Sequence, residues 1–267
     1  MVTTIKDAYN LCVKSLGKTD GRILFEGISE ATLSDVLTHG EKPCDIDFTP
    51  FISRILNGEP IQYVLGKTEF MSLPFKVTPD VLIPRQDTET LVEWAISNLE
   101  KGDKVLDLCT GSGCIAISVS KHASACVNAL DISESALEIA RENAKLNDAD
   151  ITFIKGDAHA FCGLSDLDMI LSNPPYIESK TVLELEKKVK DFEPRLALDG
   201  GSDGLDFYED IAINSKKMLK NGGFLAVEIG YNQAEAVSEI FDRVFGNSSV
   251  IIDLCKNARV VYSKKQG

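Results

Sequence analysis

The chain has 267 residues, 44% hydrophobic and 26% charged, which suits one large domain or two modest ones and excludes a disordered chain. No apolar run reaches the ~18–20 residues that span a bilayer and the start lacks a secretory layout, so a cytoplasmic protein with no membrane partner is expected. Lys plus Arg number 28 against 41 for Asp plus Glu, a formal charge of −13, so direct DNA binding is not expected either.

The seven cysteines are dispersed without a C-x-x-C, and His39, His122 and His159 are scattered, so no metal site is expected. In chain order, Ile5, Ala8, Tyr9, Cys12 and Leu16 mark one apolar helix face ending at Gly17. Leu33, Val36 and Leu37 mark a second, closed by Gly40, and Phe48, Phe51, Ile52, Ile55 and Leu56 a third, stopped by Gly58. Helices this short are marginal alone, which predicts a small bundle over residues 1–67. Residues 68–86 hold β-favouring side chains broken by Pro74, Pro79 and Pro84, a hairpin or extended linker at a domain junction.

From residue 87 to 267 strands and helices alternate. Asp87 is placed as a helix N-cap with Glu89 in the first turn. Lys104–Leu108, Val127–Asp131, Ile151–Ile154, Met169–Ser172 and Phe224–Ile229 read as short strands. Glu134–Leu146 reads as a helix, and Val250–Leu254 with Arg259–Tyr262 as two antiparallel strands at the tail. This pattern predicts an α/β fold with a doubly wound, mostly parallel sheet.

The first of these strands runs through Asp107-Leu-Cys109-Thr110-Gly111-Ser112-Gly113 into a helix. Glycines at 111 and 113 let backbone approach a ligand. Asp131, ending the second strand, can accept both hydroxyls of a ribose. A dinucleotide and S-adenosylmethionine both fit the spacing, since Ala116 is tolerable at the third glycine position. Asp107 is expected near the ligand's amino-acid end, paired with an ammonium, which favours the methyl donor.

The fourth strand ends in Ser172-Asn173-Pro174-Pro175-Tyr176. Ligands of doubly wound sheets gather at the carboxyl ends of strands where the order reverses, so the Gly111 turn, Asp131 and Asn173 are expected in one cleft. A planar amide or aryl –NH2 is a poor nucleophile because its lone pair is delocalised. The Asn173 side-chain oxygen and the Pro174 carbonyl can each accept one of its N–H groups and favour a pyramidal nitrogen, an electrostatic preorganisation for developing charge. Pro174 and Pro175 fix successive φ angles, and Tyr176 offers a face on which a planar group can stack.

This tetrad resembles that of N-methyltransferases acting on planar nitrogens. With Pro60-Ile-Gln-Tyr-Val-Leu-Gly, Phe75-Lys-Val-Thr-Pro-Asp-Val-Leu-Ile-Pro-Arg85, Asp87-Thr-Glu-Thr and Phe192-Glu-Pro-Arg-Leu-Ala-Leu-Asp-Gly-Gly, the chain resembles the peptide chain release factor glutamine methyltransferases. The resemblance implies a seven-stranded Rossmann-like methyltransferase domain over 87–267 and an N-terminal domain that helps seat the substrate. It implies methyl transfer from S-adenosylmethionine, with S-adenosylhomocysteine as product, to the glutamine of the Gly-Gly-Gln tripeptide of class 1 release factors. It assigns Cys109, Thr110, Gly111, Ser112, Gly113, Asp131 and Ala158 to the cofactor and Asn173 to both cofactor and substrate. Pro174, Pro175 and Tyr176 go to the substrate, with Asn173, Pro174 and Tyr176 catalytic.

Three positions depart from the family pattern. Cys109 stands where many members have the first glycine of the turn, Gln86 replaces the usual proline, and Ala158 stands where some members have an aromatic. Alternatives are an adenine-N6 nucleic-acid methyltransferase, a ribosomal-protein glutamine methyltransferase, a nicotinamide-dependent oxidoreductase and a non-catalytic binding module. The charge and the lack of a target-recognition region oppose the first. The absence of a hydride-transfer pair opposes the oxidoreductase, and a binding module has no need of the tetrad.

Overall fold

The structure is a computed structural model and describes residues 3–267. It divides into two compact units. The first holds residues 3–67 and Glu186–Phe192, and the second Thr68–Leu185 and Glu193–Gly267. No helix among the described residues is long and apolar enough to cross a membrane.

In the first unit, β1 (Thr3–Thr4) leads into α1 (Ile5–Leu16), followed by α2 (Lys18–Ser29), α3 (Leu33–His39), β2 (Pro43–Cys44), α4 (Thr49–Leu56) and α5 (Ile61–Leu65). Capping boxes start α1 and α3. Thr4 accepts from the backbone of Asp7 and Thr32 from that of Asp35, and each aspartate bonds back. Cys12, Leu24, Phe25 and Phe48 fill the core, with Phe25 stacked on Phe48 at 5.7 Å. The sequence reading finds α1, α3 and α4 but neither α2 nor α5. The glycines that disguise α2 are packing devices. A Cβ at Gly21 would lie 2.5 Å from Val13 Cα, so its absence lets α2 lie close against α1.

The second unit opens with a hairpin of β3 (Lys67–Phe70) and β4 (Leu73–Lys76). Met71 and Ser72 both have positive φ, 48° and 59°, as a two-residue turn matched to strand twist requires. Then come α6 (Gln86–Asn98), β5 (Lys104–Leu108), α7 (Cys114–Ala123), β6 (Cys126–Asp131), α8 (Glu134–Leu146), β7 (Ile151–Lys155) and β8 (Leu167–Ser172). After β8 lie α9 (Ser179–Val182), α10 (Lys187–Lys190, counted with the first unit), α11 (Asp206–Met218), β9 (Leu219–Glu228), α12 (Ala234–Phe245), β10 (Ser249–Ile252) and β11 (Ala258–Lys264).

Seven strands form one sheet in the order β10-β11-β9-β8-β5-β6-β7. The five strands β5 to β9 run parallel, and β11 pairs antiparallel with both β9 and β10. Alternate residues of each strand enter opposite cores, as the two-residue period dictates. Val105, Met169, Leu171 and Ala226 pack with α6, α7 and α8, whereas Leu106, Ile170, Leu225 and Val227 pack with α11 and α12. β5 and β8 are adjacent while their connections leave in opposite directions, so the strand order reverses between them.

The helix α6 corrects one expectation. Its N-cap is Arg85, without a side-chain capping bond, and Asp87 lies inside the first turn. Asp87 instead pairs with Arg259 of β11 at 2.9 Å. Gln86 is the first helical residue, the position where a proline is best tolerated because its missing N–H would have no partner.

Candidate active site

At the carboxyl end of β5 the chain turns back under a series of left-handed residues. Cys109, Gly111 and Gly113 have φ of 60°, 53° and 81°. For Cys109 this conformation costs roughly 1–2 kcal/mol, the penalty a glycine there avoids. A Cβ on Gly111 would meet nothing within 4 Å, because that side of the turn faces an open cavity. Asn143 of α8 ties the turn to the hairpin, its Nδ2 donating to the carbonyls of Ser112 at 2.9 Å and Lys76 at 3.0 Å.

Asp107 does not occupy the place expected of it. It is fully buried beneath the turn and is not among the cavity's lining residues. Its Oδ2 accepts from Thr110 Oγ1 at 2.6 Å and from the Ala116 backbone at 3.2 Å. The alternation that sends Val105 toward α7 sends Asp107 the same way, so it holds the turn from below. Burial pushes its carboxyl up to about 7.

The cavity measures about 370 Å3, within the roughly 300–1,000 Å3 of small-molecule sites. Cys109, Thr110, Gly111 and Ser112 line it, as do Asp131, Ala158, Asn173 and Pro175. Asp131 Oδ2 accepts from Gly111 N at 2.8 Å and Oδ1 from Ser133 N at 2.9 Å. Each oxygen keeps a second lone pair for an incoming hydroxyl. Burial raises its pKa, opposed by those backbone donors. Beyond Asp131 the wall is built by Asp157, buried Ala158, and His159, whose ring lies 4.2 Å from that of Phe207.

Asn173 leaves the end of β8, half-buried, and its Nδ2 donates to Thr88 Oγ1 at 3.2 Å. Asn173 lines the cavity together with Thr88, and the bond to Thr88 leaves its amide oxygen as an acceptor. Pro175 lines the cavity, whereas buried Pro174, Gly113 and Tyr176 are not among its lining residues. The Tyr176 hydroxyl donates to Glu228 Oε1 at 3.1 Å, and burial raises its pKa.

Residues 198–204 hold the tetrad backbone in place. Ile177 N donates to Leu198 O at 3.0 Å and Gly200 N to Ile177 O at 2.8 Å. Gln233 Nε2 reaches Tyr176 O at 3.0 Å and Gly204 O at 3.1 Å. The sequence reading missed Thr88, Asp157, His159, Phe207, Glu228 and Gln233. Thr88 alone stands in a motif quoted above. Nothing in local spacing marks Glu228 or Gln233, because the sheet order brings them to the tetrad.

Comparison with known proteins now has a geometry to rest on. Residues 86–191 match the methyltransferase small domain family. The release factor glutamine methyltransferase of Geobacter sulfurreducens is 44% identical over 72% of this chain and 68% of its own length. That of Neisseria gonorrhoeae is 38% identical over 95% of this chain and 96% of its own. The chain belongs to the release factor glutamine methyltransferase family. Among solved structures, the 16S rRNA methyltransferase of T. thermophilus, in complex with AdoMet and guanosine, has a TM-score of 0.54. At 15% identity, covering 75% of this chain and 50% of that one, it shares the fold alone.

Members of this family are methyltransferases, and the candidate methyl donor is S-adenosylmethionine. The residues present fit it. The Gly111 side of the turn is open where a Cβ would intrude, and Asp131 offers free lone pairs toward the cavity. S-Adenosylmethionine supplies an electrophilic methyl group on a sulfonium and departs as S-adenosylhomocysteine.

Proposed function

We propose that this protein methylates the side-chain amide nitrogen of the glutamine in the Gly-Gly-Gln tripeptide of class 1 peptide chain release factors, tuning translation termination. The observation that carries the reading is the orientation of Asn173, whose Nδ2 is committed to Thr88 while its oxygen remains an acceptor beside the cavity.

In this reading the turn Cys109–Gly113 and Asp131 hold the methyl donor, with Ala158 beside its adenine. Asn173 Oδ1 and the Pro174 carbonyl accept the two N–H groups of the substrate amide and draw the nitrogen out of conjugation. A donor held there would supply its methyl group to that lone pair, the electrons of the broken S–CH3 bond staying on sulfur. The acceptors hold the nitrogen more strongly as it becomes positive, which is catalysis by charge stabilisation in the transition state. The alkylated nitrogen then gives its proton to solvent, so no protein base is invoked. Pro174 and Pro175 keep the acceptors fixed before substrate arrives. Tyr176, whose hydroxyl is tied to Glu228, closes the tetrad on the substrate side.

The test uses methyl-labelled S-adenosylmethionine and three acceptors in parallel: a release factor, its Gly-Gly-Gln glutamine-to-alanine variant, and adenine-containing duplex DNA. Label on the wild-type factor alone supports the proposal. Label on DNA replaces it with adenine methylation. Label on none of them directs the search to a ribosomal-protein glutamine.

A further inference from the structure

The Pro174 carbonyl belongs to a peptide that joins two prolines, and prolines have no N–H with which to anchor the backbone. Among the described residues that carbonyl accepts no hydrogen bond, so its place is set from the two ends of the tetrad. Upstream, Ser172 is paired in the sheet with Leu108 of β5 and Val227 of β9. Downstream, the Tyr176 carbonyl is held by the side chain of Gln233, the residue that precedes α12, which is 8% exposed.

The Gln233 amide has all four of its hydrogen-bonding positions filled. Nε2 donates to Tyr176 O at 3.0 Å and to Gly204 O at 3.1 Å, while Oε1 accepts from Gly230 N at 2.9 Å and from the Tyr208 hydroxyl at 3.3 Å. Three of the four partners are backbone groups, which cannot exchange the roles of donor and acceptor. The amide therefore has one orientation, with its NH2 toward the tetrad and residues 198–204 and its oxygen toward the loop after β9. Gly200 packs so closely on the tetrad that a Cβ there would lie 2.7 Å from the Pro175 carbonyl oxygen. Two prolines of fixed φ pass a shift of the Tyr176 carbonyl on to Pro174 instead of absorbing it.

We infer that Gln233 is a positioning residue for catalysis: its NH2 clamps the Tyr176 and Gly204 carbonyls together and, through the proline pair, sets where the Pro174 carbonyl meets the substrate –NH2. The acceptor role of Pro174 is that of the proposed function, on which this inference rests. Gln233 does not line the cavity, so its loss is felt in turnover and not in donor binding.

The full-length chain is compared with three variants by kcat, the KM for release factor, the affinity for S-adenosylhomocysteine and the melting temperature. Gln233→Glu keeps the length and an oxygen for Gly230 N but has no NH2 for the two carbonyls. Gln233→Met keeps the length and loses both halves. Tyr208→Phe removes a donor from the oxygen half alone. Expected for both Gln233 variants is a kcat lowered about 10- to 100-fold, with KM and S-adenosylhomocysteine affinity within about threefold, as for a small misplacement of an acceptor. Tyr208→Phe should melt lower, having lost its bonds to Gln233 and to the Glu228 carbonyl, yet keep kcat within about threefold of the parent. A Gln233→Glu variant with the parent's kcat overturns the inference, and so does a Tyr208→Phe variant that loses as much kcat as Gln233→Met. Cofactor affinity that falls in proportion to kcat in the Gln233 variants overturns it as well. Should neither Gln233 variant fold, the parent decides: 15N spectroscopy should show its Gln233 side-chain NH2 exchanging at least about tenfold more slowly than an exposed amide, and free exchange is fatal to the clamp. A parent chain that methylates some other acceptor sinks the proposed substrate, and the same variants read on that acceptor then decide the clamp.

Discussion

Arg85 and Glu193, 108 positions apart in sequence, form an ion pair in which the Glu193 side chain is 2% exposed. The pair joins the N-cap residue of α6 to the loop whose Pro194, Leu196 and Ala197 line the cavity. Two of the stretches that carry the family resemblance are thus one structural feature. Arg85→Ala should destabilise the protein by about 1–3 kcal/mol, since a buried carboxylate loses a charged donor. The cavity wall should loosen with it. Calorimetry is expected to show a lower melting temperature and weaker S-adenosylmethionine binding; no change in either would mean the pair does not hold the wall.

Asp131→Ala should weaken S-adenosylmethionine by on the order of 10- to 100-fold, the 1.5–3 kcal/mol of hydrogen bonds to a charged group. Part of that loss comes through the turn, because Gly111 N gives its proton to Asp131. Equilibrium titration with S-adenosylhomocysteine measures it. An affinity equal to the parent's would remove Asp131 from the ribose.

Two glycines with similar left-handed backbones should behave differently. Gly204, at φ 75°, has no room, since a Cβ there would overlap the Tyr176 carbonyl oxygen. Gly246, at φ 80°, ends α12 with nothing within 4 Å of the same position. Gly246→Ala should cost about 1 kcal/mol of stability from backbone strain, with turnover retained. Gly204→Ala should also displace Tyr176 and reduce turnover at least tenfold. Equal turnover in the two variants would show that residues 198–204 do not position the tetrad.

Asp107 and Glu228 give stability an unusual pH dependence. Burial raises both carboxyls, Asp107 from 3.8 to about 7 and Glu228 from 4.5 to about 7. Between those values the folded chain binds more protons than the unfolded one, so stability falls as pH rises from about 4 to about 7 and levels off above. At ~1.4 kcal/mol per pH unit, the Asp107 share is at most roughly 4 kcal/mol. Asp199 and Asp253, held low chiefly by Ser179 and by the Asn257 backbone, act oppositely, but only at more acid pH. Melting temperature should therefore rise on going from pH 7.5 to 5.5, and Asp107→Asn should flatten that rise. A parent chain whose melting temperature falls over that range contradicts the account.

What could be read from sequence follows the physics of each element. β5 is found to the residue because a strand buried on both faces is a plain apolar run, Val105 to Leu108, interrupted only by Asp107. α8 is found because Ala136, Leu137, Ala140 and Ala144 bury one face. α2 escapes because Gly21 and Gly27 resemble breakers when read locally and act as packing residues against α1 and Leu65. β9 begins at Leu219, before the expected Phe224, across Lys220-Asn-Gly-Gly where the register with β8 shifts. At the site, Gly111, Asp131 and Asn173 are legible because each sits at a strand end of a fold with a known switch point. The residues that bond the tetrad, Thr88 at Asn173 and Glu228 and Gln233 at Tyr176, are not, since their proximity comes from the tertiary fold rather than spacing.

The most direct test of the central claim is tandem mass spectrometry of a release factor after incubation with S-adenosylmethionine and either the parent chain or Asn173→Ala. S-Adenosylhomocysteine binding is measured on both proteins. The account predicts one methyl group on the side-chain nitrogen of the Gly-Gly-Gln glutamine with the parent. With Asn173→Ala, transfer should fall at least about 100-fold while cofactor affinity changes only several-fold. A methyl group on any other atom, or an Asn173→Ala variant that keeps most of its turnover, contradicts it.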